Sequence, residues 1–77
     1  MSRNLLHKSK LDEFKSWLDS QEIPQRPARG QFEVLQVQVK APQWFCLWDR
    51  IKATEHYTVD IRLEPTVRRF IRESRGD

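Results

Sequence analysis

The arginines are the residues of this chain whose type and spacing best suit chemistry with an anion. Arg68, Arg72 and Arg75 fall at i, i+4 and i+7, with Arg69 beside them, so a helix would carry three of the four on one face. Guanidinium groups in such a row neutralise phosphates or meet an acidic protein surface, and nucleic-acid affinity resting on them falls with salt. A basic row near a helix C-terminus is also favoured by the helix dipole, and as a solvated face it requires no ligand. Arg26 and Arg29 flank Pro27 within residues 24–30, which hold two prolines and end in Gly30. That stretch reads as a proline-stiffened basic arm that lies along a polyanion, or as a plain connection.

Groups for covalent or metal chemistry are sparse. The one cysteine, Cys46, stands between Phe45 and Leu47, the place of a buried structural thiol. A nucleophile would need partial exposure and a neighbouring base. His7 and His56 are far apart in sequence and there is no Cys-x-x-Cys, so no zinc site is expected. With Gly30 and Gly76 as the only glycines, a glycine-rich phosphate loop is excluded. Metal-dependent nucleases cluster their carboxylates, whereas Glu33, Asp49 and Asp60 are scattered here. Asp49 and Asp60 could converge from neighbouring strands, but each also has an adjacent arginine, Arg50 or Arg62, suited to an ordinary ion pair. No catalytic residue, metal ligand or cofactor is therefore expected, and the chain reads as a binding module rather than an enzyme.

With 77 residues the chain is expected to form one domain over 1–77, near the lower size limit for an unstapled core. Hydrophobic residues at 38% and a net charge of +3 exclude the composition of a disordered chain. Most of the aromatic residues must be core, because little else would fill it. At most one of Trp17, Trp44 and Trp48 is expected to be substantially exposed. A lone cysteine forms no intrachain disulfide, the first residues lack a secretory apolar run, and no stretch approaches a membrane span. The expected location is the cytoplasm, with no membrane partner.

These residues must be positioned by short elements. Leu11, Phe14 and Leu18 recur at helical spacing, flanked by Trp17, and predict a helix over 11–20 capped by Ser9 with Asp12. Residues 1–8 extend that helix or form a frayed N-terminus. Three strand-like runs follow the arm. Residues 31–40 place Leu35, Val37 and Val39 on one face. Residues 44–51 are apolar on both faces, as in a central strand. Residues 56–63 alternate Tyr57, Val59, Ile61 and Leu63 against polar neighbours. Pro65 suits the first turn of a last helix whose apolar stripe is Val67, Phe70 and Ile71. The expected fold is α+β, a single small α-β-β-β-α domain with two helices on one face of a three-stranded antiparallel sheet.

That element order resembles the double-stranded-RNA-binding fold and the HicA-type toxin domains. In the toxins a Gly-Ser-His sequence opens the first strand and supplies a catalytic histidine. Here the corresponding run is Arg29-Gly30-Gln31-Phe32, so the resemblance does not carry RNase activity with it. The runs Gly30 to Leu35, His56 to Val59 and Val67 to Ile71 are also similar to small uncharacterised proteins of phages and prophages. That resemblance implies an accessory role in a mobile element.

Three functions follow as expectations. The first is a nucleic-acid-binding module using Arg68, Arg69, Arg72, Arg75, Arg26 and Arg29. The second is a protein-binding inhibitor or adaptor acting on a host enzyme such as a defence nuclease. The third, a toxin-type RNase, would depend on His56. Either a monomer or a homodimer through a short strand edge is compatible with the pattern.

Overall fold

A computed structural model describes residues 2–76, leaving only the two end positions of the expected 1–77 domain outside the description. In chain order the elements are β1 (Ser2–His7), a single 3-10 turn (Lys8–Lys10), α1 (Leu11–Ser20), β2 (Gln25–Pro27), β3 (Glu33–Lys40), β4 (Gln43–Trp48), β5 (His56–Asp60) and α2 (Glu64–Ser74). The strands form one antiparallel sheet in the order β1-β5-β4-β3-β2.

The α+β class and the two helices agree with the sequence expectation, but the sheet has five strands rather than three. The two added strands are its edges. Residues 2–7, expected to extend the helix or to fray, pair with β5, Ser2 opposite Asp60 and His7 opposite His56. A register shift between Asn4 and Leu6 interrupts the pairing. This bulge leaves Leu5 and Leu6 adjacent in sequence yet both packed on the core, which destroys the period-two signal. The arm contains β2, with Arg26 opposite Gln36 and Pro27 opposite Leu35. Proline is tolerated there because an edge strand can leave one side of its backbone unpaired.

β4 is central, as its two apolar faces require. Leu35 and Val37 of β3 stand opposite Leu47 and Phe45 of β4, and Leu47 in turn opposite Val59 of β5. These five side chains are buried on one face. Phe14 and Leu18 of α1 and Val67 and Phe70 of α2 close over them, joined by Leu6 and Leu63. The rings of Phe14 and Phe70 meet edge to face at 5.2 Å, which joins the two helices. Each such side chain contributes about 1.5–3 kcal/mol by leaving water. Both helices thus cover one face; no helix covers the other, on which Cys46, Thr58 and Asp60 are nonetheless buried.

Helix α1 spans the predicted residues, but its start is built differently. Ser9 does not cap it; the Ser9 N–H donates to His7 Nδ1 at 3.1 Å, so His7 caps the 3-10 turn ahead of the helix. The hydroxyl of Ser9 faces the same nitrogen at 2.7 Å and is not free to reach toward Asp12. At the other end the Ile23 N–H donates to Leu18 O and the Glu22 N–H to Asp19 O. That pair of bonds is a Schellman closure, and it puts Glu22 at φ 59°. A side chain at that φ is strained where glycine would not be. Glu22→Gly is expected to stabilise the fold by about 1 kcal/mol, read as a melting temperature about 4–8 °C higher.

No helix among the described residues is long and apolar enough to cross a membrane.

Candidate nucleic-acid interface

The open face of the sheet collects the side chains that point away from the helices. Arg26 on β2 lies opposite Gln36 on β3, and Gln36 lies opposite Cys46 on β4. Trp44 and Trp48 flank Cys46 at two-residue spacing and so share its face. Arg26 Nε donates to Gln36 Oε1 at 2.5 Å, and its guanidinium carbon sits 4.1 Å from the Trp44 ring centroid. Two residues past the end of β4 the Arg50 guanidinium lies 4.3 Å from the Trp48 ring centroid. Arg26, Pro27, Arg29 and Gln36 line a concavity of about 420 Å³ beside the first of these stacks. Among the described residues none of the lining groups is a carboxylate.

Two acids stand on this face, Glu33 and Asp60, the second set across from Cys46 by the Leu47–Val59 register. The Glu33 carboxylate accepts the Gly30 N–H at 2.8 Å and faces the Cys46 thiol at 3.5 Å. The Gly30 hydrogen bond holds its pKa below the ordinary value, against a smaller opposing effect of burial. Burial, and then the Glu33 charge, push the Cys46 thiol up to about 11. A thiol held that far above neutrality stays protonated and makes a poor nucleophile. Cys46 is thus the buried structural thiol the sequence implies, and Ellman's reagent at pH 7.5 is expected to leave it unmodified until denaturant unfolds the chain. Rapid reaction in the native state would contradict this.

The arginines of α2 lie on the other side of the sheet, and half of them are engaged. Arg68 pairs with Glu64 at 2.8 Å. Arg69 pairs with Glu73 at 3.0 Å, donates to Gln21 Oε1, and lies 4.9 Å from the Trp17 ring centroid. Trp17 itself donates through Nε1 to Glu73 at 3.1 Å. Arg72 and Arg75 make no side-chain hydrogen bond or ion pair among the described residues. They line, with Arg68, Leu5 and Ile71, a second concavity of about 430 Å³. Leu5 belongs to β1 and Arg26 to β2, the two edges of the sheet. Four strand spacings separate those edges, about 19 Å. The six arginines singled out in the sequence therefore form two basic surfaces, not one continuous stripe. All three tryptophans are half-buried.

Asp49 and Asp60 do not share a partner. Asp49 is held by Lys8 at 2.9 Å and Lys52 at 3.0 Å rather than by Arg50. Asp60 is held by Arg62, whose backbone N–H, Nε and Nη2 donate to it at 2.9, 2.9 and 2.8 Å. Among the described residues no group of three or more His, Cys, Asp and Glu is placed to hold a metal ion. The two histidines, distant in sequence, do meet: their ring centroids are 5.1 Å apart, edge to face. Only the β1–β5 pairing, which the sequence hid, brings them together. His7 Nδ1 is occupied by Ser9, and its Nε2 faces Glu55 at 3.7 Å.

Several acids share a pKa below the ordinary carboxylate range. Asp60 is lowered chiefly by the Arg62 hydrogen bonds, Asp49 by Lys8 and Lys52, and Glu73 by the Trp17 N–H. A depressed folded-state pKa contributes stability that is present above the unfolded value, near pH 4, and lost as pH falls through the folded one. Thermal melts from pH 7 to pH 2 are expected to show a steep acid limb below about pH 4. Asp60→Asn should flatten that limb while lowering stability at pH 7. An unchanged limb would remove Asp60 from this role.

Comparison with protein-family models, with curated proteins and with solved structures finds no match for the chain.

Proposed function

We propose that the chain is a non-enzymatic nucleic-acid-binding module that holds a single strand across the open face of its sheet. The observation that carries this reading is the pair of arginine–tryptophan stacks, Arg26 on Trp44 and Arg50 on Trp48, on a face no helix covers. Trp44 and Trp48 are four residues apart on one strand, so their rings are spaced by about 13 Å. That distance spans an extended strand of a few nucleotides. Bases stack on indole and guanidinium planes alike, without regard to sequence. Arg29, and the guanidinium groups of Arg26 and Arg50, would neutralise phosphates. The Gln36 amide, already oriented by Arg26, offers hydrogen bonds to a base edge.

A flat sheet face suits an unpaired strand better than a duplex, whose bases are hidden from aromatic side chains. Anisotropy titrations of fluorescein-labelled oligouridylate, oligothymidylate and duplexes of equal length test this reading. Single strands are expected to bind, with a log–log salt slope of about −2 for three neutralised phosphates. That slope is about a 20-fold loss of affinity between 50 and 200 mM salt. Absence of salt-sensitive binding to any of them would end the nucleic-acid reading. A preference for duplex would end its assignment to the sheet face.

A further inference from the structure

The second basic surface has a different character from the first. Its concavity lies between β1 and α2, with Leu5 and Ile71 as its floor and Arg68, Arg72 and Arg75 around it. It continues past Leu6 and Phe70 toward Lys10, in an adjoining hollow of about 270 Å³. No carboxylate lines either part among the described residues. Beside it runs β1, an edge strand of six residues that pairs among the described residues with β5 alone, with its register shift between Asn4 and Leu6. Its outer row of backbone N–H and C=O groups is left unpaired by the sheet, and such an edge is a template for one more strand. The opposite edge offers little of this: β2 has three residues and ends in Pro27.

We infer that the β1–α2 groove is a docking site for an acidic peptide in extended conformation. The peptide backbone would add to the outer edge of β1 as a sixth strand, the mode called β-augmentation. Because side chains alternate along a strand, every second residue would face the groove and the others would stand clear of it. Aliphatic residues at the inward positions would seat on Leu5 and Ile71. Aspartate or glutamate beside them would meet Arg72 and Arg75, neither of which makes a side-chain hydrogen bond or a close ion pair among the described residues, although the Arg72 charge also acts on Glu73. A polynucleotide could use those arginines too, but it has no use for a strand edge or an apolar floor. The combination of edge, floor and cationic rim therefore selects a peptide. This site is on the other side of the sheet from the Trp44 face, and it stands or falls separately from the nucleic-acid reading.

The test is a library of fluorescein-labelled eight-residue peptides alternating Val or Leu with Asp or Glu, titrated against the full chain and followed by anisotropy. Members of the library are expected to bind, and the double variant Arg72→Glu/Arg75→Glu to bind about tenfold more weakly or worse. Arg26→Ala should bind them like the unaltered chain. Hydrogen exchange followed by NMR on the unaltered chain gives a readout independent of whether any variant folds. Amides of residues 3–7 that exchange freely in the unbound chain should become protected when peptide is bound. Three results would overturn the inference: no library member binds, binding leaves those amides unprotected, or oligothymidylate displaces the peptide from the arginines of α2.

Discussion

Replacing Phe14 with alanine is expected to leave the chain largely unfolded at 25 °C. The Phe14 side chain is 0% exposed and lies where both helices and the sheet converge. Its ring contacts Trp17 at 6.1 Å and Phe70 at 5.2 Å between centroids. Removing a buried phenyl ring costs about 3–5 kcal/mol, from lost burial and from the cavity left behind. A core of this size leaves only about 3–5 kcal/mol of net stability, so the substitution is of the same magnitude as the whole. Phe14→Leu, which keeps most of the volume, should cost only about 1–2 kcal/mol and stay folded. Urea titrations followed by circular dichroism and tryptophan fluorescence measure both. An alanine variant that melts within about 1 kcal/mol of the unaltered chain would show that α1 does not close the core.

How far the sequence reveals this fold depends on the length and position of each element. The helix over 11–20 is legible because Leu11, Phe14 and Leu18 repeat over three turns. The three middle strands are legible because the runs over 31–40 and 56–63 alternate and the run over 44–51 is apolar on both faces. The last two strands end early, at Trp48 and Asp60, and leave Ile51 and Ile61 exposed instead of on an apolar strand face. The edges are not legible. β2 offers three residues, one of them proline, and its pairing to β3 is decided by register. β1 hides behind the adjacent pair Leu5-Leu6, which only a bulge can bury together. The site suffers from the same blindness. Arg26 and Arg29 are recognisable as a basic arm, yet nothing local announces that Arg26 will stack on Trp44, eighteen positions along the chain. That contact follows from two successive strand registers, Arg26 on Gln36 and Gln36 on Cys46. The arginines of α2 were legible as a face, but not the engagement of Arg68 and Arg69, which needs the neighbours Glu64, Glu73 and Trp17 in place.

The two basic surfaces differ in what they can exchange. On the sheet face a guanidinium already rests on each indole, so an incoming base meets a preformed plane and an immobilised charge, which lowers the ordering cost of binding. On α2 the unengaged arginines surround aliphatic side chains and border a strand edge. The two proposed sites lie on opposite sides of one sheet, so a nucleic acid on one and a peptide on the other would not compete. Titrating one ligand in the presence of saturating amounts of the other should therefore leave each affinity unchanged.

Trp44→Ala is expected to remove most of the single-strand binding. Loss of one base-stacking aromatic costs about 1–3 kcal/mol, or about 5- to 150-fold in affinity. The effect should fall toward the upper end here, because Trp44 also supports the Arg26 guanidinium that lies 4.1 Å from its ring. Trp44→Phe keeps a stacking plane and should recover part of the loss. Arg26→Ala should weaken binding less at high salt than at low salt and reduce the magnitude of the salt slope by about 0.7, one phosphate contact. Arg72→Ala/Arg75→Ala should leave single-strand affinity alone, since those side chains lie across the sheet. A thermal melt of each variant separates lost binding from lost folding, which matters for the half-buried Trp44. If Trp44→Ala folds and binds like the unaltered chain while the α2 double variant loses affinity, the nucleic acid lies on the helix and not on the sheet.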